Sequence, residues 1–413
     1  FIFFLSKMLW KLKILIITPI IPYPPYRGDK LRIYNVIKTL IKKHDVKVLS
    51  FLKDKNELNF VSELKKLGID VELIKFPKLK AYLRLILAFF TKTPLQVIFY
   101  YNKKLMQRIY ELTSNENYDI AYFHIFTTMQ YHNAVNNPQT LKVIDLTDAY
   151  SLYLKRILEF EQSILNRIFF TIEKKRVYEY EKISKYFDTV FVCSKIDKEF
   201  LQQRNIHANI QLFENGIDTN IYKYEEIIPE KHRIIFTGNL PYFPNRDAVK
   251  YFVNEIFPYV LQKVPDAKLY IVGKDPTQDI MDLSSKNVIV KGFVEDLKYE
   301  YLVSEVNIAP MRFGAGTANK IIEAIALGVP TVATSLAVKG FDENVKKYVF
   351  EADTPENFAN KIIEIFNDNS IRTNFMKEAS KTVSYLLNLD TVIGRIENYL
   401  FERKKNKRES NYN

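Results

Sequence analysis

Apolar and polar positions along the chain repeat one unit. A short, almost wholly apolar run is followed by a longer segment whose apolar residues fall three or four positions apart. Runs of that kind fit strands buried on both faces, and the longer segments fit the helices that cover a parallel sheet. The first series comprises "LKILIIT" (12–18), "VKVLSF" (46–51), "VELIKF" (71–76), "DIAYFH" (119–124), "LKVIDLT" (141–147), "DTVFVCS" (188–194) and "NIQLFEN" (209–215). The second comprises "RIIFTG" (233–238), "KLYIVG" (268–273), "NVIVKG" (287–292), "VNIAPM" (306–311) and "PTVAT" (330–334). Between them lies "NGIDTNIYKYEEIIPEKH" (215–232), polar and proline-bearing, which reads as a linker. The pattern predicts an α/β protein of two doubly wound, Rossmann-like parallel-sheet domains, over 1–218 and 219–387. A helix at about 388–403 is expected to pack back on the first domain, and the basic tail 404–413 reads as too polar to pack.

Length agrees with two domains, because single cores stop growing beyond about 250–300 residues. With 47% apolar and 26% charged residues the composition is that of a globular protein. The single cysteine, Cys193, excludes an internal disulfide and a Cys-rich zinc site and fits a reducing, cytoplasmic setting. The apolar run 14–21 leads into a proline-rich turn with no small-residue cleavage site, so it reads as a strand rather than a signal peptide. The charge-free stretch 120–141 is broken by His124, Gln130, His132, Asn133 and Pro138, which makes it a poor membrane span.

Charge changes the picture more. The net charge is +12, and all of it falls within residues 1–222. A one-sided field of this kind suits an acidic partner: anionic lipid, nucleic acid or a phosphorylated substrate. Nucleic acid fits least, since the basic residues are dispersed without an aromatic base-stacking motif. The segment 79–104 is aromatic, basic and outside the strand rhythm, and reads either as an interfacial element or as a helix packed under a loop.

Candidate chemistry concentrates in "FGAGTANKIIEAIALGVPTVAT" (313–334), an apolar helical run that holds Asn319, Lys320 and Glu323 on one face. A lysine and a glutamate on a core helix are costly unless they face a polar site. Gly314, Gly316 and Thr317 precede the helix, so its free N–H groups and positive dipole end are open to a phosphate. Lys320 would add positive charge to a diphosphate, and Glu323 would accept from ribose hydroxyls. The competing reading is a local Lys320–Glu323 ion pair that closes a buried helix.

These residues, together with "ITPIIPYPPYRGDKLRIYNVIKTLIKKHDVKVLSF", "ENGID", "FTGNLPYFPNRDAVKYFVNEIFP", "GFVEDL" and the terminal "LDTVIGRIENYL", resemble a GT-B glycosyltransferase of glycosyltransferase family 4. The nearest kind is the bacterial sugar transferases of exopolysaccharide and surface-polysaccharide synthesis. The resemblance implies two domains facing a cleft and metal-free, retaining transfer from a nucleotide-sugar co-substrate, with no further cofactor. It implies a donor site on the C-terminal domain and a glycan or lipid-linked acceptor on the N-terminal one; the basic first 222 residues with the segment 79–104 point to a peripheral place at the inner face of the membrane.

Carried over residue by residue, Glu323 matches the second glutamate of the family's paired-glutamate signature, while the first falls on Ala315. Backbone amides of 314–317 would then replace it. On the loop after the first strand of the C-terminal domain, Gly238 is followed by Asn239, and Arg246 is the nearby cation. In the N-terminal domain Arg27, Gly28, Asp29 and Lys30 resemble the family's glycine-containing loop and would face the acceptor. His124 matches a histidine near the donor sugar, so His124, Lys320 and Glu323 form the expected catalytic set. Asp145 and Asp148, at the end of a strand, are expected on the acceptor side. No Asp-x-Asp occurs in the chain. A sugar-nucleotide epimerase of the same architecture and a non-catalytic nucleotide-sugar-binding protein are the competing functions.

Overall fold

A computed structural model of the chain describes residues 11–88, 91–207, 209–313 and 318–409. The chain divides into two units: residues 1–193, 197–213 and 393–413 form the first, and residues 194–196 with 214–392 the second.

Unit 1 is built on a seven-stranded sheet in the order β3-β2-β1-β4-β5-β6-β7. Its strands are β1 (Lys13–Thr18), β2 (Asp45–Leu52), β3 (Asp70–Lys75), β4 (Ile120–His124), β5 (Leu141–Thr147), β6 (Thr189–Val192) and β7 (Ile210–Leu212). Every pairing is parallel. Ile14, Leu15, Ile16 and Ile17 are buried on consecutive positions, as a strand covered on both faces requires.

Unit 2 has six parallel strands in the order β10-β9-β8-β11-β12-β13. They are β8 (Arg233–Thr237), β9 (Lys268–Val272), β10 (Val288–Gly292), β11 (Val306–Ala309), β12 (Thr331–Ala333) and β13 (Phe350–Glu351). All twelve expected strands form. β13 was not anticipated, because two residues at a sheet edge carry no periodic signal.

Each sheet reverses its strand order beside its first strand, between β1 and β4 in unit 1 and between β8 and β11 in unit 2. In open α/β sheets such a switch point opens a crevice at the carboxyl ends of the strands. Helix α1 (Gly28–Leu40) follows β1, and helix α4 (Asn319–Ala326) follows β11. Between them in sequence, α2 (Lys78–Leu87) and α3 (Ile164–Tyr180) belong to unit 1. After α4 the chain turns at Gly328, where φ is +79° and a Cβ would lie 2.4 Å from the Tyr224 ring, so only glycine fits.

The segment 79–104 splits in two. Helix α2 is largely exposed, whereas Phe99 and Tyr100 join an aromatic cluster with Phe51 and Phe76. The C-terminal tail departs from expectation: helix α5 (Leu389–Glu409) continues through residues read as unpackable. Its cations find partners in unit 1. Lys404 Nζ donates to the Gln139 carbonyl, Lys407 pairs with Asp188, and Arg408 with Asp119. Local polarity therefore misjudged a segment whose charges are matched by distant carboxylates.

Candidate functional site

The second switch point is shaped by backbone approach. β8 ends at Thr237, and Gly238 follows with its carbonyl against Gly273. A Cβ on Gly273 would sit 1.8 Å from that oxygen, and one on Gly238 would lie 2.7 Å from the Asn245 amide nitrogen. The Asn245 side chain thus packs on Gly238 and donates to the Asn239 carbonyl at 2.9 Å, holding the loop after β8.

That same amide accepts from Lys320 Nζ at 3.0 Å. Lys320 lies in the first turn of α4, 8% exposed, with its ammonium 3.7 Å from the centre of the Phe236 ring. No carboxylate bonds it among the described residues. Burial pushes its pKa down to about 7, although Glu323 works in the opposite direction. The helix N-terminus and a nearly dehydrated ammonium thus lie side by side, an arrangement whose complement is an anion.

Glu323 has a different partner. Tyr301 Oη donates to Glu323 Oε2 at 3.0 Å and receives the Thr237 hydroxyl at 2.5 Å. Burial raises the Glu323 pKa, with the Tyr301 bond and Lys320 opposing. The local Lys320–Glu323 salt bridge does not form, since each side chain is held by a neutral group instead. Asn319 accepts from Asn215 Nδ2 at 2.9 Å, tying the "ENGID" segment to α4. Thr237, Asn245 and Tyr301 escaped the sequence reading. They are neutral residues in apolar or loop contexts, and no spacing joins them to Lys320 or Glu323.

The remaining donor-side candidates divide. Arg246 is committed to Asp279, which Lys250 also binds at 2.5 Å. Burial works against the ionised Asp279 but is outweighed by Lys250, Thr277 and Arg246, which hold it well below the usual carboxylate range. Arg246 therefore serves an ion cluster rather than standing open beside Lys320. Gly314, Ala315, Gly316 and Thr317 lie outside the described residues.

In unit 1, His124 closes β4 at the other switch point and is completely buried. Thr18 donates its hydroxyl to the Ile20 carbonyl at 3.1 Å, so the 3.2 Å contact with His124 Nδ1 is a bond from the imidazole N–H to Thr18. Nε2 then faces no partner, and burial lowers the pKa to about 4, so the ring is neutral. No atom of it reaches the surface, contrary to the expectation of a donor-sugar contact.

Asp145 is likewise sealed rather than turned to an acceptor. Arg32 Nε and Nη2 donate to its two oxygens at 2.8 and 3.0 Å, Tyr122 Oη at 2.7 Å, and the Thr147 N–H at 3.1 Å. The Arg32 guanidinium also stacks 4.2 Å from the Phe213 ring centre. Asp145 thereby fixes the ends of β4 and β5, because a bidentate, fully bonded pair is the form in which a buried charge survives.

Asp148 accepts from the Cys193 thiol at 3.2 Å. Burial and the nearby Asp197 raise its pKa to about 7. The ligand atoms of Asp148, Cys193 and Asp197 lie within 4.8 Å of one another, but Asp197 also caps the Ala149 N–H.

The loop at α1 is more open. Arg27 and Asp29 pair at its exposed start, burial lowers the Lys30 pKa, and a Cβ on Gly28 would meet nothing within 4 Å.

Comparison with known proteins bears on the fold. Residues 231–368 match the family model described as "Glycosyl transferases group 1". A Klebsiella pneumoniae protein described as an uncharacterized 44.6 kDa protein in the cps region is 25% identical over 370 residues, covering 85% of this chain and 90% of that protein. Among solved structures, Anabaena Alr3699/HepE in complex with UDP superposes with a TM-score of 0.65 at 18% identity, covering 95% of this chain and 100% of that one. A mutant of S. aureus TarM, in a complex that includes UDP, gives a TM-score of 0.69 at 12% identity, over 94% of this chain and 100% of that one. The family match lies within the second unit, and the chain as a whole has the two-domain GT-B fold.

Proposed function

We propose that the protein is a glycosyltransferase of the family 4 kind, using a nucleotide-sugar donor, UDP-linked by analogy with the complexes of its structural neighbours. The observation that carries the reading is Lys320: a buried ammonium without a carboxylate partner, at the N-terminus of α4 and beside a switch point. In the transfer the bond from the anomeric carbon to the phosphate oxygen breaks and one to the acceptor oxygen forms. The nucleoside diphosphate takes the bonding electrons, and Lys320 with the α4 N–H groups stabilises that growing charge. Glu323, oriented by Tyr301, receives the ribose hydroxyls. The acceptor proton passes to the departing phosphate, which accounts for retention without a protein base or a metal.

The acceptor is a glycan or a lipid-linked sugar of surface-polysaccharide synthesis, a reading supported by the cps-region relative. Its proposed place is on unit 1 at the loop 27–30, a reading supported by the open surroundings of Gly28. His124 and Asp145 act as braces for that unit rather than as contacts. Thermal shift with UDP, GDP and dTDP tests the donor site, because a ligand of the folded state raises its stability by mass action. Stabilisation by none of them overturns the assignment. Diphosphate release that depends on an added acceptor separates transfer from epimerisation, which needs none.

A further inference from the structure

Unit 1 carries an apolar surface that the donor chemistry does not use. On α2, Leu79, Leu83 and Ile86 follow one another at helical spacing and are 75%, 53% and 67% exposed. On α3, Ile164, Ile168 and Ile172 form a second stripe with Leu165 beside it, the last 79% exposed. The two helices adjoin: Arg176 of α3 donates to the carbonyl of Ala88, at the end of α2, and Glu173 of α3 caps the Leu95 N–H. The inner side of α2 is a proper core face, with Ala81 fully buried, so the helix is anchored while its large residues point outward. Scattered surface leucines need no explanation, but two such stripes in one unit do.

Charge states what covers them. From Lys75 to Arg108 the chain has eight Lys and Arg and no Asp or Glu. Lys78, Lys80 and Lys92 are exposed around the α2 stripe, as is Lys175 on α3. On α3 itself Glu173 is turned inward and buried, while Glu161, ahead of the stripe, is engaged by Asn166 and the Ser163 N–H. We propose that α2 and α3 together form a docking face for an anionic lipid bilayer, with the isoleucines and leucines entering the acyl boundary and the lysines at the headgroups. A second copy of the chain fits less well. A symmetric contact through this face would set the same acid-free cationic stretch against itself. The inference stands apart from the sugar-transfer reading, since it uses no residue of the donor site.

Co-flotation of the full chain with vesicles tests it. On phosphatidylcholine vesicles with about one third phosphatidylglycerol, the protein floats at low salt, and most of it is released at about 0.5 M salt, where screening is short-ranged. The pair Leu83→Ser with Ile86→Ser, or Leu165→Ser with Ile168→Ser, cuts the salt-resistant fraction roughly tenfold or more. Ile228→Ser, at a 94% exposed position of unit 2, leaves it unchanged. Urea midpoints equal to that of the parent chain confirm that each variant is folded. No flotation on these vesicles, or flotation of both paired variants at the parent level, overturns the proposal. So does light scattering that finds a dimer dissolved by the paired substitutions while the parent chain ignores vesicles.

Discussion

Replacing Lys320 with methionine removes a charge from a site where the protein alone does not compensate it. The lysine is held by one amide oxygen and a ring face, and burial lowers its pKa from 10.5 to about 7. That drop corresponds to about 5 kcal/mol of burial cost, an upper bound. Below pH 7 the lysine is charged in the folded and the unfolded chain, so the cost is present in full. Between pH 7 and 10.5 the unfolded chain keeps the proton and the folded one gives it up. The unfolded state then binds more protons, and stability rises with pH. Lys320→Met abolishes that rise. It also leaves Asn245 Oδ1 without its donor, which costs about 1–3 kcal/mol at every pH.

The variant is therefore expected to be more stable than the parent chain by about 2–4 kcal/mol at pH 6 and less stable by up to about 2 kcal/mol near pH 10. Urea unfolding of both proteins across that range measures the difference, in which all other titrating groups cancel. In the parent chain, bound UDP should restore the lysine's charge and flatten the rise. The variant should lose roughly ten- to hundredfold in UDP affinity by thermal shift, the worth of one charge-assisted bond. A stability difference that does not change with pH, or undiminished UDP binding, refutes the account of Lys320 as an ammonium waiting for an anion.

Tyr301→Phe strips Glu323 of its donor and Thr237 of its acceptor, and should cost about 1–3 kcal/mol in urea unfolding and raise the KM for donor. Asp145→Asn breaks a buried bidentate pair, an expected loss of about 3–5 kcal/mol at neutral pH. Arg32 helps depress the Asp145 pKa against burial, so the parent chain's share of this stability is present above the ordinary carboxylate pKa and lost as pH falls through the depressed value. The variant's acid unfolding curve should be flatter there. Gly273→Ala drives a methyl into the Gly238 carbonyl and should displace the loop after β8, abolishing UDP binding, whereas Gly28→Ala, in open space, should leave the urea midpoint unchanged. Transfer activity is expected to survive excess EDTA; complete loss that magnesium restores contradicts the metal-free mechanism.

The strands were legible in the sequence because a buried parallel strand has no solvated face, and four or five consecutive apolar residues admit few other readings. The polar stripe of α4 was legible for the converse reason: Lys320 and Glu323 interrupt a run that is otherwise apolar. Their partners were not. Asn245 lies far from Lys320 in the chain, and Tyr301 and Thr237 are uncharged, so no spacing joins them. Arg32 and Asp145 show the same limit from the other side. An arginine in a loop-proximal helix and an aspartate at a strand end look like ligands for a substrate, and only the packing shows them neutralising each other behind Tyr122 and Phe213.

The contrast between the two units separates structural from functional charge more surely than position at a switch point does. In unit 1 the charges beside the reversal of strand order are closed: the Asp145 oxygens receive Arg32, Tyr122 and the Thr147 N–H, and His124 is neutral. In unit 2 the arrangement is left open, since among the described residues Lys320 bonds a neutral amide and sits on a ring, and Glu323 bonds a phenol. A closed arrangement is stable by itself and gains little from a ligand, while an open one carries a cost that an anion and a hydroxyl-bearing partner relieve. Both switch points share a topology, yet only the second holds a buried cation without an ion pair among the described residues. That incompleteness, rather than the fold, is what the proposed donor role of α4 rests on.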